Sequence, residues 1–510
     1  MGSGHERRYP STGCGPQGPV FVGSHQPDPS RLFAATNRAA TPLPSVGRMS
    51  DLEGVQQWVD EQLPLLLEKY DVPAAAWAVL HDGEVVDGAA GVLNKATGVP
   101  ATADSVFQIG SVTKLWTASL VLQLVDEGKV DLDEPVRTYL PEFRIADEAA
   151  AAEITVRQLL SHTSGFEGDI FTDTGMGDDC IEKYLGVLGE VPQLFAPGER
   201  FSYNNAGYCV LGRLVEVLRE KPYDECLREH LFAPLGLTHA ATSAYDAILF
   251  RAAVGHIELE PGTGHQPAPV WAMARSNAPA GSMLSMRPRD LVAFARMHLE
   301  DGRAADGTQV LAPGTPARMH EAQVELPPIG MMGSAWGLGF ERFDTPGGEV
   351  IGHDGNTIGQ AAFLRMVPGT GLAVALLTNG GDSFSLYRDV IGHVLETLGG
   401  VQPPELPVPP AHPEPVDASR YLGTYSAEVA DLTVSQDDEG RVWIETVPKG
   451  MFEELGEQPE RKELVHYRDD MLIPLQPDRG MHLPHAFLGD DGEGRALYLF
   501  VGRVIRRAGA

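Results

Sequence analysis

Two apolar β-like runs at 74–80 and 84–92, and three more at 349–351, 360–367 and 372–378, bracket a middle stretch. That middle, from about 115 to 340, is mostly helical in pattern with long loops. No other feature restricts the fold as strongly. Asp82-Gly83 joins the first two runs, and Asp-Gly between β-like segments is a strong hairpin signal. Pro368-Gly369 separates the last two. A helix opening at Ser50 or Asp51, with Leu52, Val55, Val59, Leu63 and Leu66 on one face, precedes the first set. Pro64 inside it is expected to kink or split it. A helix over 386–398 follows the last run. Strands from both ends of one domain can complete a single antiparallel sheet, with the helical middle laid against it as an insertion. The expected class is α+β: an antiparallel sheet flanked by helices with a large helical insertion. A cleft between the two is the natural place for a site.

Beyond residue 398 the pattern changes. The stretch 399–415 holds seven prolines and no apolar period, so 401–416 reads as a stiff, extended linker. Residues 417–510 then carry seven short β runs separated by turn-rich stretches such as Asp437-Asp438-Glu439-Gly440, which predicts an antiparallel β-barrel-like domain. A chain of 510 residues exceeds what one core normally serves. The expected layout is a leader at 1–48, a main domain at 49–400, the linker, and the β domain at 417–510. The leader is rich in Pro, Gly and Ser, and is read as disordered or as an expression remnant.

Charge narrows the partners. The formal net charge is −31, and a phosphate-binding surface needs clustered Lys and Arg, so nucleic acid is not an expected partner. No run of eighteen apolar residues occurs, so no membrane span is expected. Cys14, Cys180, Cys209 and Cys226 are too scattered for a disulfide framework. The expected location is cytoplasmic, the expected partner is a small-molecule or peptide substrate, and a homo-oligomer is compatible with the composition.

Three short segments carry chemistry. In Phe107-Gln108-Ile109-Gly110-Ser111-Val112-Thr113-Lys114, Ser111 stands at the mouth of a helix whose apolar face runs through Leu115, Ala118, Leu122 and Val125. Gly128 is placed to end that helix. Ser111 and Lys114 are three residues apart, so a helix stacks them on one face. Nucleophile and amine arrive together, although a capping serine and a solvated lysine would read the same way. Farther on, Tyr203 and Asn205 lie in Phe201-Ser202-Tyr203-Asn204-Asn205, before an apolar helix at 206–220. A phenol beside a cation can lose its proton below its free pKa, and the Asn205 amide can bond a substrate carbonyl. A turn whose Asn side chains cap the next helix is the alternative. Finally, Gly352-His353-Asp354-Gly355-Asn356 stands before a strand, where a glycine lets a ligand backbone lie close. His81-Asp82-Gly83 repeats its central tripeptide and reads as an ordinary turn.

The order Ser-x-x-Lys, Tyr-x-Asn, His-x-Gly resembles the penicillin-recognising serine hydrolases, in the branch of class C β-lactamases, D,D-peptidases, D-aminopeptidases and related esterases. Spacers add to the likeness: Leu159-Leu160-Ser161-His162-Thr163-Ser164-Gly165, Pro197-Gly198-Glu199-Arg200-Phe201 and Ala280-Gly281-Ser282-Met283. The β-rich tail resembles the lipocalin-like appendage of some members. The resemblance implies that Ser111 accepts the acyl group, that Lys114 and Tyr203 share the general-base work, and that Asn205 holds the acyl-side amide. It implies an oxyanion hole from the N–H groups of Ser111 and Asn356, with Gly355 beside it and His353 completing the site. His353 stands where β-lactamases of this branch carry lysine, which favours peptidase and esterase chemistry over β-lactamase chemistry. His162 is expected to be structural, at a helix end.

No Gly-x-Ser-x-Gly elbow, His-Glu-x-x-His pair or Gly-rich phosphate loop occurs. His482 and His485 are too small a set for a metal, so neither a metal nor a cofactor is expected. The expected function is a serine hydrolase forming an acyl-enzyme on esters or peptide-like amides, D-amino-acid amides included. The alternatives are a penicillin-binding-protein-like thioesterase or peptide cyclase, then a β-lactamase or D,D-peptidase, then a binding module without turnover.

Overall fold

The computed structural model describes residues 51–259, 262–454, 456–478 and 480–509. The expected leader at 1–48 lies outside these, as do Cys14 and the capping position Ser50.

Helix α1 (Asp51–Lys69) is followed by the hairpin β1 (Ala74–His81) and β2 (Glu84–Asn94) and the short β3 (Val99–Pro100). Asp82 at φ +51° and Gly83 at φ +80° make the tight hairpin turn the dipeptide predicts. Helices α2 (Thr113–Asp126), α3 (Val156–Leu160), α4 (Asn205–Arg219) and α5 (Pro288–Leu299) belong to the insertion. The chain then returns through β4 (Val324–Glu325), β5 (Ala335–Trp336), β6 (Glu341–Thr345), β7 (Gly348–Thr357), β8 (Gln360–Val367) and β9 (Leu372–Thr378), and ends this part on α6 (Ser383–Val394).

The nine strands form one antiparallel sheet in the order β3-β2-β1-β9-β8-β7-β6-β5-β4. Its seam is the pairing of β1 with β9, Ala75 opposite Thr378 and Val79 opposite Val374, so strands from both ends do complete one sheet. Both faces are covered. Ala76, Ala78, Leu364, Ala375 and Leu377 pack toward the helical insertion, while Ala75, Trp77, Phe363, Val374 and Leu376 pack on α1 and α6. Burial on both faces is why β1 and β9 read as unbroken apolar runs rather than alternating ones.

Three local expectations are corrected. Helix α1 runs unbroken through Pro64, and Leu67, not Leu66, completes its buried stripe after Leu63. The segment Gly352-His353-Asp354-Gly355-Asn356 does not precede a strand but lies within β7, which runs on to Thr357. The β-rich tail contains one strand more than its apolar runs suggest.

That tail is a closed eight-stranded antiparallel barrel, from Gly423–Ser426 to Val504–Arg507. It closes where Tyr425 pairs with Arg507. Tyr425, Leu432, Ile444, Leu472, Phe487 and Leu499 fill its interior. Its outer side also carries apolar residues: Met471, Tyr498, Phe500 and Val504 share a buried cluster with Phe201, Tyr203 and Trp336 of the preceding part. The Tyr498 hydroxyl donates to the Leu194 carbonyl at 3.0 Å, and the Val504 N–H donates to Ser202 Oγ at 3.0 Å. No described helix is long and apolar enough to cross a membrane.

Candidate active site

Ser111 sits in a 3₁₀ turn, Gly110–Val112, that runs directly into α2. Lys114 in the first turn of α2 is fully buried. Its Nζ lies 3.0 Å from Ser111 Oγ, 2.7 Å from Asn205 Oδ1 and 2.6 Å from the Ala280 carbonyl oxygen. Burial pushes this amine down to about 7, with Arg503 adding to the fall and Asp169 and Glu341 opposing it. A neutral amine has two N–H donors and one lone pair. Two of its three neighbours are carbonyl oxygens that can only accept, so both N–H groups are committed to them. The lone pair is left for the Ser111 hydroxyl. The geometry thus fits a base aimed at a nucleophile.

The turn is held by close backbone approach. A Cβ on Gly355 would lie 1.9 Å from the Ile109 carbonyl oxygen and 2.9 Å from the Ser111 nitrogen. A Cβ on Gly110, at φ +51°, would lie 2.5 Å from the Asn356 nitrogen. Only glycine fits at either place. β7 therefore lies along the Ser111 turn, with the backbone nitrogens of Ser111 and Asn356 at the same junction. Asn205 opens α4, and Asn204 is its cap, accepting from the Gly207 N–H at 2.7 Å. The two readings of this loop are thus split between neighbours: Asn204 caps the helix, while Asn205 reaches Lys114. The Asn205 amide in turn donates to Asp169 Oδ1 at 2.7 Å.

Tyr203 is buried, with the Lys114 Nζ 4.8 Å from its ring centroid and the Ser111 hydroxyl among the groups acting on its phenol. The expectation that a neighbouring cation eases its ionisation is not met. Burial dominates and raises its pKa, so the phenol keeps its proton. His353, on β7, is buried with its Nδ1 2.5 Å from the Asp354 carbonyl oxygen. That oxygen accepts only, so Nδ1 carries the proton and Nε2, buried and without a partner, presents a lone pair. Burial, with Lys114 adding, pushes His353 down to about 3, which keeps the ring neutral. Glu341 stands 3.8 Å behind it, its pKa raised by burial and by Asp354.

His162 lies just past α3 at φ +57°, the helix-end position expected of it, and its ring centroid is 4.4 Å from that of Tyr203, the two rings tilted by 31°. His81 falls in the β1–β2 hairpin. No group of three or more His, Cys, Asp or Glu able to hold a metal occurs among the described residues.

Sequence reasoning did not reach three members. The Ala280 carbonyl stands in a spacer of the resemblance but had no role. Asp169 lies in a loop with no motif. Arg503 comes from the barrel: its guanidinium pairs with Asp169, Nη2 to Oδ1 at 3.3 Å and Nε to Oδ2, and lies 5.0 Å from the Tyr203 ring centroid.

A family model described as "Beta-lactamase" matches residues 55–397. Penicillin-binding protein 4 of Amycolatopsis lactamdurans is 45% identical over 370 residues, 72% of this chain and 97% of that protein. Among solved structures, SurE superposes with a TM-score of 0.72 at 28% identity, over 89% of this chain and 99% of its own. That share exceeds what residues 55–397 supply, so the likeness includes the barrel. SurE has also been solved with D-Leu, at 29% identity and a TM-score of 0.69. A D-amino acid amidase from Ochrobactrum anthropi SV3 is 26% identical with a TM-score of 0.58, over 69% of this chain and 99% of that one.

Proposed function

The chain belongs to the beta-lactamase family and is a serine hydrolase of its penicillin-binding-protein-like kind, and from that premise we propose that Ser111 forms an acyl-enzyme with esters or peptide-like amides whose acyl residue is D-configured. The observation that carries this reading is the buried Lys114 amine, 3.0 Å from Ser111 Oγ with its other two contacts both to carbonyl oxygens. The D-configuration is supported by the likeness to the D-amino acid amidase and to SurE, which was solved with D-Leu.

In this mechanism Lys114 takes the Ser111 proton as Oγ adds to the substrate carbonyl. The oxyanion forms against the N–H groups of Ser111 and Asn356, where each donor is worth about 3 kcal/mol in the transition state. Tyr203, still protonated beside Ser111, passes a proton to the departing alkoxide or amine as its bond to the carbonyl carbon breaks, and Lys114 returns a proton to Tyr203. The incoming nucleophile then gives its proton to Lys114 as it adds to the acyl carbon, the bond between that carbon and Ser111 Oγ breaks, and Lys114 returns the proton to Oγ, while the neutral His353 Nε2 lone pair accepts a hydrogen bond from the nucleophile. Asn205 keeps Lys114 in place and meets the acyl-side amide.

Water is the acceptor in the main reading. A second reading, transfer to an amine with peptide cyclisation as its intramolecular form, is favoured by the barrel's packing beside Tyr203, since excluding water protects an acyl-enzyme until an amine arrives. The reading includes a cytoplasmic location and leaves a homo-oligomer open to a light-scattering test. The test of function is a panel: p-nitrophenyl esters, D-alanyl and L-alanyl amides, nitrocefin, and a linear peptide thioester ending in a D-residue. Turnover of esters and D-amides above L-amides is expected. A cyclic product from the thioester would promote the second reading, and rapid nitrocefin turnover would put β-lactamase chemistry ahead of both.

A further inference from the structure

Arg503 is separated from Asp169 by 334 positions in the chain, yet its guanidinium pairs with that carboxylate beside the candidate nucleophile. It directly precedes the last barrel strand, in the turn whose Gly502 carbonyl accepts from the Tyr203 N–H at 3.2 Å. Asp169 is almost fully buried, and its other contact is the Asn205 amide, whose oxygen accepts from Lys114. A continuous path therefore runs from barrel to nucleophile: Arg503, Asp169, Asn205, Lys114, Ser111.

We infer that Arg503 is a positioning residue, supplied by the barrel, that orients Asn205 through Asp169 and cancels the Asp169 charge so that the Lys114 amine stays neutral. This inference rests on the acyl-enzyme reading above. A carboxamide can point either end at an amine. Asp169 can only accept, so it takes the Asn205 N–H₂ and turns the oxygen onto Lys114. A buried carboxylate so near an amine would favour its charged form, and a guanidinium on the far side offsets that. The other groups facing Lys114 do not supply the offset. Glu341 on β6 opposes the amine's neutrality, and Cys209 on α4 is a thiol pushed up to about 12 by burial. Tyr203 and Tyr208 keep their protons, and His162 and His353 are held neutral by burial. Glu167, whose Oε1 accepts from the Gly168 and Asp169 N–H groups, is raised by burial and by Asp169, and supplies no positive charge either; Arg503 is the group paired with the Asp169 carboxylate.

The test follows labelling of Ser111 by a fluorophosphonate in the full chain as a function of pH. Wild type should lose reactivity below a limb near 7. Arg503→Met should move that limb up by about one pH unit, with about fivefold slower labelling at pH 7 and recovery at pH 9. Arg503→Lys, which keeps the charge, should return the limb toward its wild-type position. Asp169→Asn, which removes the opposing charge, should move it down. The opposite signs make either variant decisive if the other does not fold. A limb that stays put in Arg503→Met or Asp169→Asn, whatever happens to the plateau, would reduce Arg503 to a structural contact and overturn the inference. Absence of labelling in wild type would instead overturn the acyl-enzyme reading and take this inference with it.

Discussion

Replacing Lys114 by methionine should change how stability depends on pH, and the size follows from the burial of one amine. In the unfolded chain the lysine titrates near 10.5, and in the fold burial brings it to about 7. Between those values the unfolded state holds a proton that the folded state does not, so wild-type stability rises with pH across that window. Each pH unit in the window is worth about 1.4 kcal/mol. Below pH 7 the whole difference, about 5 kcal/mol, weighs against folding; at pH 9 only about 2 kcal/mol remains. Methionine has similar length and no charge, but it leaves the Asn205 and Ala280 oxygens without a donor, at about 1–3 kcal/mol each. That cost does not vary with pH, and loss of Lys114, whose charge lowers the Glu341 pKa, shifts the balance in the same direction. The difference in stability between wild type and Lys114→Met should therefore move by about 2 kcal/mol in favour of wild type from pH 7 to pH 9, because the slope is only half developed at pH 7 itself. Urea unfolding followed by tryptophan fluorescence at pH 7, 8 and 9 reads it. A difference independent of pH would mean that Lys114 keeps its proton in the fold and cannot be the base.

Tyr203→Phe and His353→Ala should each lower ester turnover at least tenfold, about 1.4 kcal/mol, whereas His81→Ala in the hairpin turn should leave it unchanged. Equal losses at His81 and His353 would show that β7 is not the site edge. Gly355→Ala forces a Cβ to within 1.9 Å of the Ile109 carbonyl oxygen and should cut kcat by about 100-fold or more as β7 is pushed from the Ser111 turn; near-normal kcat would separate the N–H of Asn356 from catalysis. A fragment 49–400 loses Arg503 and uncovers Phe201 and Trp336, so it should be poorly soluble and unreactive toward a fluorophosphonate. A soluble, reactive fragment would show that the barrel is dispensable for acylation.

How far the sequence reached depends on the range of the interaction. The sheet was legible because β1 and β9 are apolar throughout, and strands buried on both faces need no partner's identity to be recognised. Ser111 and Lys114 were legible because a helical turn links them, and Tyr203 and Asn205 because they flank one helix start two residues apart. The extent of β7 was not: Gly352, Asp354 and Gly355 look like turn residues, and only pairing with β8, His353 opposite Leu364, makes them a strand. The first barrel strand, Gly423–Ser426, is too short and polar to stand out before Arg507 closes the barrel on it. Tyr203 was assigned the wrong ease of ionisation because a nearby cation is visible as a residue type, while depth of burial is not. Arg503 and Asp169 carry no motif, and their meeting exists only once the barrel has docked.

The central claim is a covalent bond at Ser111. Wild-type protein mixed with a p-nitrophenyl ester of an N-acyl-D-alanine, quenched in acid within the first turnover, should gain the acyl mass on the peptide containing Ser111. Ser111→Ala should gain none and release no p-nitrophenol above background. Undiminished hydrolysis in Ser111→Ala, or turnover by wild type with the acyl mass on another residue, would contradict the account.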